Sequence, residues 1–336
     1  MNGGLLYWEG KWGNRMAVKQ AVLARLAQAR EEALSGEALA ETLGVSRAAV
    51  WKAVKELQKE GHSIEAVPNK GYTLRADREV LCAENIRPWL RDPAVMVTAE
   101  KELASTNLTA KQLAAQGAPH GSLVVADAQT AGRGRRGRSF ASPPGTGLYL
   151  SVVLRSELPM EAATLVTSAA AVASCRAFQR LYGKELDIKW VNDLYWQGKK
   201  CCGILTEAAA DMESGGVDYL VVGMGFNLFE PQDGFPPALR DIAAAIFAPG
   251  EQVSRCRLAA EIVNELLALC ARLPAADFMA EYRARNLVPG RDIFLVQNGA
   301  KRPAHALGIT DNGHLLVRTQ QGEEEISFGE VSIRFE

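Results

Sequence analysis

The densest group of residues able to bind a charged ligand is the run GRGRRGR at positions 132–138. Its arginines carry planar sets of N–H donors that suit phosphate or carboxylate, and its glycines let the backbone approach a ligand closely. Strand-like segments stand on either side, SLVVADAQ before the run and GLYLSVVLR after it. This arrangement predicts a mobile loop that is loose when empty and closes over an anionic intermediate.

Two other interpretations of this loop compete with the first. An arginine–glycine tract that binds RNA is usually long and repetitive, whereas this run is short and lies between strands. The spacing from Gly132 to Ser139 also fits a P-loop, with Arg138 at the position of the usual lysine. A P-loop must run directly into a helix, and Pro143 and Pro144 disfavour one here.

A second polar group lies in the segment 187–207, where DIKWVNDLY is followed by Lys199, Lys200 and CGILTE. The pattern predicts two adjacent strands joined by a turn at Gln197-Gly198. Lys189 alternates with apolar neighbours along the first of these strands. A lysine in such a run is commonly a strand-edge residue, so by itself it is weak evidence for catalysis.

Short polar residues and glycines mark two further segments. Ser105 precedes a predicted helix that runs to about residue 116, with Thr106 or Asn107 as its cap. Gly223 and Gly225 follow an apolar strand, but neither a third glycine nor a helix comes after them. The dinucleotide-binding motif is therefore disfavoured at that position.

Basic side chains recur on the third of three helices predicted near the N-terminus. Ser35 and Ser46 are placed to cap the second and third helices, and a hairpin pattern follows around 68–71. This order predicts a winged helix-turn-helix, whose third helix enters the major groove of DNA. A solvated basic helix face is the alternative. The candidate DNA contacts are Ser46, Arg47, Ala48, Trp51, Lys52, Lys55 and, in the hairpin, Lys70.

The composition is that of a globular chain of two or three domains: 336 residues, 48% apolar and 23% charged. A net charge of −1 argues against a histone-like nucleic-acid binder, although it can hide a local basic patch. The six cysteines form no CxxC pair, so we expect reduced thiols in a cytoplasmic protein. No apolar run approaches the roughly 18 residues that span a bilayer.

Five short strands predicted after Pro289-Gly290 are typical of a small SH3-like barrel. With the features above, they predict a division of the chain into five segments. These are a flexible extension over 1–16, a winged helix-turn-helix over 17–78, a linker over 79–95, an α/β (α+β) domain over 96–287 and the SH3-like domain over 288–336.

Taken together, these motifs resemble the bacterial biotin–protein ligases of the bifunctional kind, which also act as the biotin operon repressor. The resemblance runs in order from about Ala17 to the C-terminus, and it implies the α/β catalytic core of the biotin/lipoate ligase type over 96–287. The matching motifs are STN at 105–107, Gln129, GRGRRGR at 132–138, LYLS at 148–151, KWVND at 189–193, CGILTE at 202–207, GMGFN at 223–227 and FGEVSIR at 328–334.

The resemblance implies an ATP-dependent, AMP-forming ligase that works in two steps. Biotin and Mg²⁺-ATP would give biotinyl-5′-AMP and pyrophosphate, and a lysine of a biotin carrier domain would then accept the biotin. The implied partners are the carrier domain of acetyl-CoA carboxylase, the operator DNA of biotin genes and, when biotinyl-5′-AMP is bound, a second copy of the chain.

The resemblance also assigns roles to residues, with Lys189 and Arg133 as the catalytic pair that supplies positive charge to the carboxylate and the α-phosphate. Asp193 is the candidate ligand for Mg²⁺. The implied biotin-binding residues are Ser105, Thr106, Asn107, Gln129, Arg133, Gly134, Arg135, Lys189 and Gly203. The implied nucleotide-binding residues are Arg135, Arg136, Arg138, Asn192, Asp193, Gly223, Gly225, Asn227 and Arg334.

Two positions depart from the family pattern, since Val191 replaces the usual proline of KWxND and Phe140 replaces the usual tryptophan after the arginine run. Both side chains stay apolar, so we expect activity with an altered geometry over the adenylate. Two other functions compete with the leading one. They are a ligand-sensing transcription factor without ligase activity and a lipoate-type ligase on the same fold.

Overall fold

The computed structural model describes residues 13–29, 32–68, 70–75, 80–155, 162–210, 217–273, 275–297, 300–327 and 329–333. Contacts between Cα atoms divide the chain into two compact units. One unit is Met1–Trp89 with Gln252–Arg257, and the other is Leu90–Glu251 with Leu258–Glu336.

The first unit is a three-helix core with a two-stranded hairpin. Apolar residues at helical spacing, such as Val22, Val50 and Leu57, are buried between the helices. Leu34 exchanges two backbone hydrogen bonds with Tyr72, which fixes the hairpin at the entry to α2. The elements of this unit are α1 (Gly13–Gln28), α2 (Gly36–Leu43), α3 (Arg47–Lys59), β1 (Ile64–Val67), β2 (Gly71–Leu74) and α4 (Ala83–Ile86).

Two details of this unit differ from the sequence predictions. Helix α1 (Gly13–Gln28) begins inside the predicted extension 1–16. The predicted linker 79–95 contains α4 and a following 3₁₀ turn over Arg87–Trp89. The side chain of Asn85 anchors this segment by donating to the carbonyl of Val80 at 2.9 Å.

A seven-stranded mixed sheet forms the centre of the second unit, with strand order β3-β4-β5-β9-β8-β7-β6. Only the β3–β4 pair is parallel among the pairings of this sheet in the described residues. The strands are β3 (Val97–Leu103), β4 (Leu123–Gln129), β5 (Gly147–Leu154), β6 (Asp187–Lys189), β7 (Asp193–Trp196), β8 (Lys199–Ala210) and β9 (Val217–Asn227).

Helices cover both faces of this sheet. Alternate residues of β9 point to opposite faces, so Val221 packs under α5 while Phe226 meets Phe178 of α6, with ring centroids 5.4 Å apart. The last two helices, α7 and α8, are separate elements of the chain. The helices are α5 (Thr106–Ala115), α6 (Ala162–Tyr182), α7 (Arg255–Cys270) and α8 (Met279–Ala284).

A five-stranded antiparallel sheet follows, in the order β13-β12-β11-β10-β14, where the sequence predicts five short strands. Trp190 ties the larger sheet to this one, since its indole Nε1 donates to the Gly313 carbonyl at 2.9 Å. The strands are β10 (Asp292–Gln297), β11 (Ala300–Ile309), β12 (Leu315–Thr319), β13 (Gly322–Ile326) and β14 (Glu330–Ile333).

Candidate active site

A cavity of about 730 Å³ opens on the α5 face of the seven-stranded sheet. The start of α5, the arginine–glycine loop, the strands β8 and β9 and the segment 229–243 form its walls. Most of the residues predicted to bind a ligand meet here. These are Ser105, Thr106, Asn107, Gln129, Arg133, Gly134, Arg135, Arg136, Arg138, Asn192, Asp193, Gly203, Gly223, Gly225 and Asn227.

One part of the cavity wall is rich in hydrogen-bonding groups. The carbonyl oxygen of the Gln129 side chain accepts from the backbone N–H of Thr106 at 2.9 Å and from its hydroxyl at 3.2 Å. Its amide nitrogen donates one proton to the Ser142 hydroxyl at 2.8 Å. These bonds fix the orientation of the Gln129 amide, whose second N–H remains as a donor at the cavity wall.

Ser105 is the N-cap of α5, so the prediction of Thr106 or Asn107 as the cap is wrong. Its backbone is extended, whereas Thr106 and Asn107 already belong to the helix. The Ser105 side chain makes no capping hydrogen bond although the residue is buried. Its hydroxyl therefore lies beside the cavity instead of closing the helix.

Glycines of β8 and β9 place no side chains on the sheet where it forms the floor of the cavity. Gly203 and Gly225 are direct cross-strand partners. A Cβ on Gly225 would lie 2.7 Å from the Phe140 ring, and one on Gly203 would lie 3.5 Å from it. Phe140 thus packs into the hollow that the two glycines create, and it keeps the apolar character of the aromatic residue it replaces.

Gly223 also has a packing role, besides the nucleotide-binding role that the family resemblance implies. A Cβ at this position would lie 1.9 Å from Oδ1 of Asn107. The missing side chain is what allows Asn107 to approach the sheet.

The arginine–glycine loop is folded as a small hairpin between β4 and β5. Gln129 and Ser142 form a bridge at its base, and Arg133 and Ser139 form a second bridge further out. A single 3₁₀ turn over Arg135–Gly137 stands at its tip, and no helix follows before β5. The P-loop interpretation is therefore wrong, because the helix it requires is replaced by strand β5.

Arg135 and Asn192 connect this loop to the turn between β6 and β7. The guanidinium Nη1 of Arg135 donates to Oδ1 of Asn192 at 3.0 Å. Asn192 in turn donates from Nδ2 to the carbonyl of Ile204 at 2.8 Å. These two hydrogen bonds fix the Asn192 side chain, and Asn192 in turn holds the Arg135 guanidinium at the cavity wall.

Lys200 is a cation of the cavity wall that the sequence analysis did not select. Its Nζ lies 2.7 Å from Oδ1 of Asp193. It also passes over Gly203, where a Cβ would lie 3.3 Å from Nζ. With Arg133 and Arg135, it makes the middle of the cavity positively charged.

A β-bulge explains why Lys200 faces the cavity. Simple alternation would place Lys200 and Gly203 on opposite faces of β8, because they are an odd number of residues apart. Leu194 pairs with Cys202 and Tyr195 pairs with Lys200, so Cys201 is an extra residue. This bulge turns Lys200 onto the face of Gly203, and bulges of this kind often redirect side chains beside active sites.

Lys189, predicted beside the substrate carboxylate, is not among the residues that line the cavity, although it pairs across the strands with Asp193, which does. It lies on β6, the edge strand of the sheet. The single strand predicted for this segment is in fact two short antiparallel strands, β6 and β7. Its Nζ donates to the hydroxyl of Tyr195 at 3.2 Å and lies 5.4 Å from the centre of that ring. The ammonium group is therefore directed to Tyr195.

The far end of the cavity is largely apolar and is formed by the segment after β9. Aromatic and aliphatic side chains of this segment can pack against a flat ring. Asn227, at the end of β9, is a polar residue of the cavity wall next to this segment. Arg334, predicted to contact the nucleotide, lies outside the described residues. The apolar lining residues are Phe229, Pro231, Phe235, Pro236, Leu239 and Ile242.

The first unit presents a separate candidate surface on α3. Ser46 caps the helix by accepting from the Ala49 N–H at 3.2 Å, as predicted. The residues predicted to contact DNA form an exposed face, and Trp51 stands out with 57% of its surface accessible. The exposed residues are Arg47, Ala48, Trp51, Lys52 and Lys55, with Lys70 in the hairpin.

Within the described ranges, no three His, Cys, Asp or Glu side chains are grouped as metal ligands. Nor does any helix there combine the length and the apolar character needed to cross a bilayer.

Three stretches of the chain match protein families. Residues 101–227 match the biotin/lipoate A/B protein ligase family, residues 18–73 match a helix-turn-helix domain, and residues 303–334 match the biotin protein ligase C-terminal domain. The fold and the cavity thus define a ligase of the biotin/lipoate class with a helix-turn-helix domain at its N-terminus.

Relatives that match over nearly their whole length identify the family within this class. The bifunctional ligase/repressor BirA of Bacillus subtilis (strain 168) is 35% identical over 330 residues, which cover 95% of this chain and 99% of that protein. The protein of the same name from Escherichia coli (strain K12) is 30% identical over 89% of this chain and 92% of its own length. The chain belongs to the family of these bifunctional ligase/repressors.

Solved structures agree with the catalytic part of this assignment. The biotin protein ligase of Aquifex aeolicus in complex with biotin and ATP has a TM-score of 0.59 at 27% identity, covering 71% of this chain and 98% of its own. A mutant of the same ligase in complex with biotin has a TM-score of 0.61 at 26% identity, covering 72% of this chain and 99% of its own.

Proposed function

We propose that this protein is an ATP-dependent ligase that joins biotin to a lysine of a carrier domain and represses biotin genes through its N-terminal unit. The observation that carries the catalytic part is the lining of one cavity. Neutral hydrogen-bonding groups, cationic side chains and apolar side chains line it together, and Gln129, Lys200 and Phe229 are one of each kind. Biotinyl-5′-AMP likewise combines a ureido ring, a charged phosphate and a flat base.

In the first step, a carboxylate oxygen of biotin attacks the α-phosphorus of ATP, and the bond to the β-phosphate breaks to release pyrophosphate. Both reactants are anions, so their approach requires positive charge that is already in place. Lys200, Arg133 and Arg135 supply it in the described cavity. Asp193 and Asn192 hold Lys200 and Arg135 in position, so little reorganisation is needed.

Lys200 is therefore proposed to supply part of the positive charge that the family resemblance assigns to Lys189. Ser105 and the free N–H of Gln129 are the groups best placed to bind the ureido ring, because Asn107 and Thr106 are engaged with protein partners. In the second step, the uncharged amine of the acceptor lysine attacks the acyl carbon, and AMP leaves with the electrons of the broken C–O bond.

The nucleotide part occupies the opposite end in this proposal. Asn227 and the apolar segment 229–243 would hold the adenine, while Arg136 and Arg138 at the rim would face the phosphates. Arg334 remains a candidate on the basis of the family resemblance alone. The arginine loop would close over the mixed anhydride and exclude water from it.

Magnesium is proposed to enter with ATP. One carboxylate together with substrate phosphates is a usual way for proteins to hold Mg²⁺, and Asp193 is the carboxylate beside the cationic middle of the cavity. The ion would neutralise phosphate charge, and Asp193 would have to share its oxygens between the ion and Lys200.

For the first unit, the exposed basic face of α3 supports binding of operator DNA in the major groove. Dimerisation on binding of biotinyl-5′-AMP is proposed on the family resemblance. A dimer would present two such helices to the half-sites of a palindromic operator.

Incubation of the protein with biotin, ATP, Mg²⁺ and a purified biotin carrier domain tests the enzymatic proposal. Covalent biotin on the carrier, dependent on ATP, is the expected result. Absence of label with intact, folded protein would favour a ligand-sensing transcription factor. Preferential transfer of lipoate in a competition assay would favour a lipoate-type ligase.

A further inference from the structure

Asn107 joins the polar end of the cavity to strand β8. Its amide nitrogen donates to Oε2 of Glu207 at 2.9 Å and to the carbonyl of Leu205 at 3.3 Å. Its Oδ1 lies 2.6 Å from the hydroxyl of Ser151, which is fully buried. Both N–H groups of the amide are thus used within the protein, so Asn107 is a structural link rather than a ligand donor.

Glu207 is held from two positions of the same helix. Lys111 follows Asn107 by one helical turn, and its Nζ lies 2.6 Å from Oε1 of Glu207. The two residues share one face of α5. Each therefore binds one oxygen of the same carboxylate, which fastens the first turns of α5 to the sheet.

Glu207 remains ionised in this setting. Burial raises the pKa of the carboxyl, but hydrogen bonds from Lys111 and Asn107 more than offset the burial and lower the pKa below its usual value. The geometry alone, a half-buried carboxylate with a donor on each oxygen, already requires the charged form.

The effect of Glu207 extends along a chain of hydrogen bonds to the cavity. Asn107 contacts the Ser151 hydroxyl, which also lies 2.8 Å from Oγ1 of Thr106. The Thr106 hydroxyl and backbone N–H bond to Gln129. The position of the Gln129 amide therefore depends on where Glu207 holds the start of α5.

We infer that Glu207, with Lys111, is a positioning residue that sets the biotin-binding geometry of Ser105, Thr106 and Gln129 without touching biotin. The inference rests on the proposed function. Because Glu207 acts on the biotin-binding residues alone, a change at Glu207 should alter the affinity for biotin and leave the affinity for ATP unchanged.

The test compares three variants with the full-length wild type. Glu207→Gln removes the charge and Lys111→Met removes its half-buried cationic partner. Glu251→Gln is the matched control, because Glu251 pairs with Lys184 at 2.9 Å in the same unit and does not line the cavity. Biotin binding is measured by titration calorimetry without ATP, and the KM for ATP by pyrophosphate release at saturating biotin.

Glu207→Gln should weaken biotin binding about tenfold, as expected for the loss of a charged hydrogen-bond partner, and Lys111→Met should weaken it less. The KM for ATP should change by less than about twofold, and Glu251→Gln should match wild type. Unchanged biotin affinity in Glu207→Gln, or equal losses for biotin and ATP, would overturn the inference. If Glu207→Gln does not fold, unchanged biotin affinity in Lys111→Met overturns it.

Hydrogen–deuterium exchange of the ligand-free proteins distinguishes this inference from the proposed function. Exchange in the peptide covering 104–113 should be faster in Glu207→Gln than in wild type and Glu251→Gln, whether or not the protein binds biotin. Equal exchange would contradict the positioning role, whereas a wild type that binds no biotin would contradict the proposed function.

Discussion

Glycine 223 shows how a single missing side chain shapes the cavity. Asn107 of α5 lies against it, and its Oδ1 would be 1.9 Å from a Cβ at this position. In the sequence Gly223 stands out only as half of a glycine pair, which the family resemblance links to the nucleotide. The contact that requires the glycine is with α5, which is distant in sequence, so no local pattern could have revealed it.

Gly223→Ala should therefore damage the biotin end of the cavity. The added methyl group must displace Asn107, and we expect a loss of stability of about 1–3 kcal/mol, as for other overpacked sites, together with weaker biotin binding. Gly308→Ala is the matched control, because a Cβ on Gly308 meets no atom within 4 Å. Chemical denaturation and biotin titration of both variants measure the difference, and equal stability of the two would contradict the packing argument.

At the scale of elements, the arginine–glycine loop is the part expected to retain the intermediate. Arg133→Gly removes one donor from the cationic middle while leaving Lys200 and Arg135 in place. We expect ligation to continue but biotinyl-5′-AMP to escape into solution, because the closed loop has lost an anchor. Chromatography of the filtrate after incubation with biotin and ATP detects the adenylate.

An exposed arginine far from the cavity provides the comparison for this loop variant. Arg318→Gly, on β12, removes a surface ion pair with Glu323 and should retain the adenylate as wild type does. Equal retention by Arg133→Gly would show that the loop does not depend on this side chain.

Helix α3 is the element expected to meet DNA. Lys52→Gln should weaken binding to a mixed-sequence duplex and reduce the slope of log affinity against log salt by about 1, since one phosphate contact is lost. Lys101→Gln, an exposed lysine of β3 in the other unit, is the control. An unchanged salt slope in Lys52→Gln would mean that this residue does not contact the DNA backbone.

At the scale of the whole molecule, one buried carboxylate links α7 to α6 and to the segment before β3. Glu265 accepts from Arg180 at 2.8 Å and from Arg91 at 3.0 Å. Burial raises the pKa of Glu265, but the hydrogen bonds and charges of these two arginines lower the pKa below its usual value.

This lowered pKa gives the pH dependence of stability a definite sign. The unfolded carboxyl titrates at about 4.3, so the stabilisation is fully present above that pH and is lost as the pH falls through the lower folded value. Glu265→Gln should cost about 1 kcal/mol at neutral pH, with a smaller difference from wild type at pH 3.5. Urea denaturation at both pH values measures it, with the exposed Glu100→Gln as control, and a pH-independent difference would contradict the argument.

The sequence predicted the elements well where local patterns decide them. Ser35 and Ser46 cap their helices as expected, and the five C-terminal strands lie where the hydrophobic alternation placed them. Lys200 escaped prediction for a physical reason, because a bulge at Cys201 reverses the face that alternation assigns to it. Lys189 was predicted from the family resemblance, and its position on the edge strand depends on the sheet order, which only the tertiary fold decides.

Biotin-dependent release of pyrophosphate from ATP by wild type, Lys200→Met and Lys189→Met shows which lysine serves adenylate formation. Because Lys200 lies in the cavity beside Asp193 and Lys189 is directed to Tyr195, we predict a loss of about 10²–10³-fold for Lys200→Met. Lys189→Met should retain most of the activity. Full activity in Lys200→Met would contradict the proposed role of Lys200. Loss of activity in Lys189→Met would show that Lys189 is required.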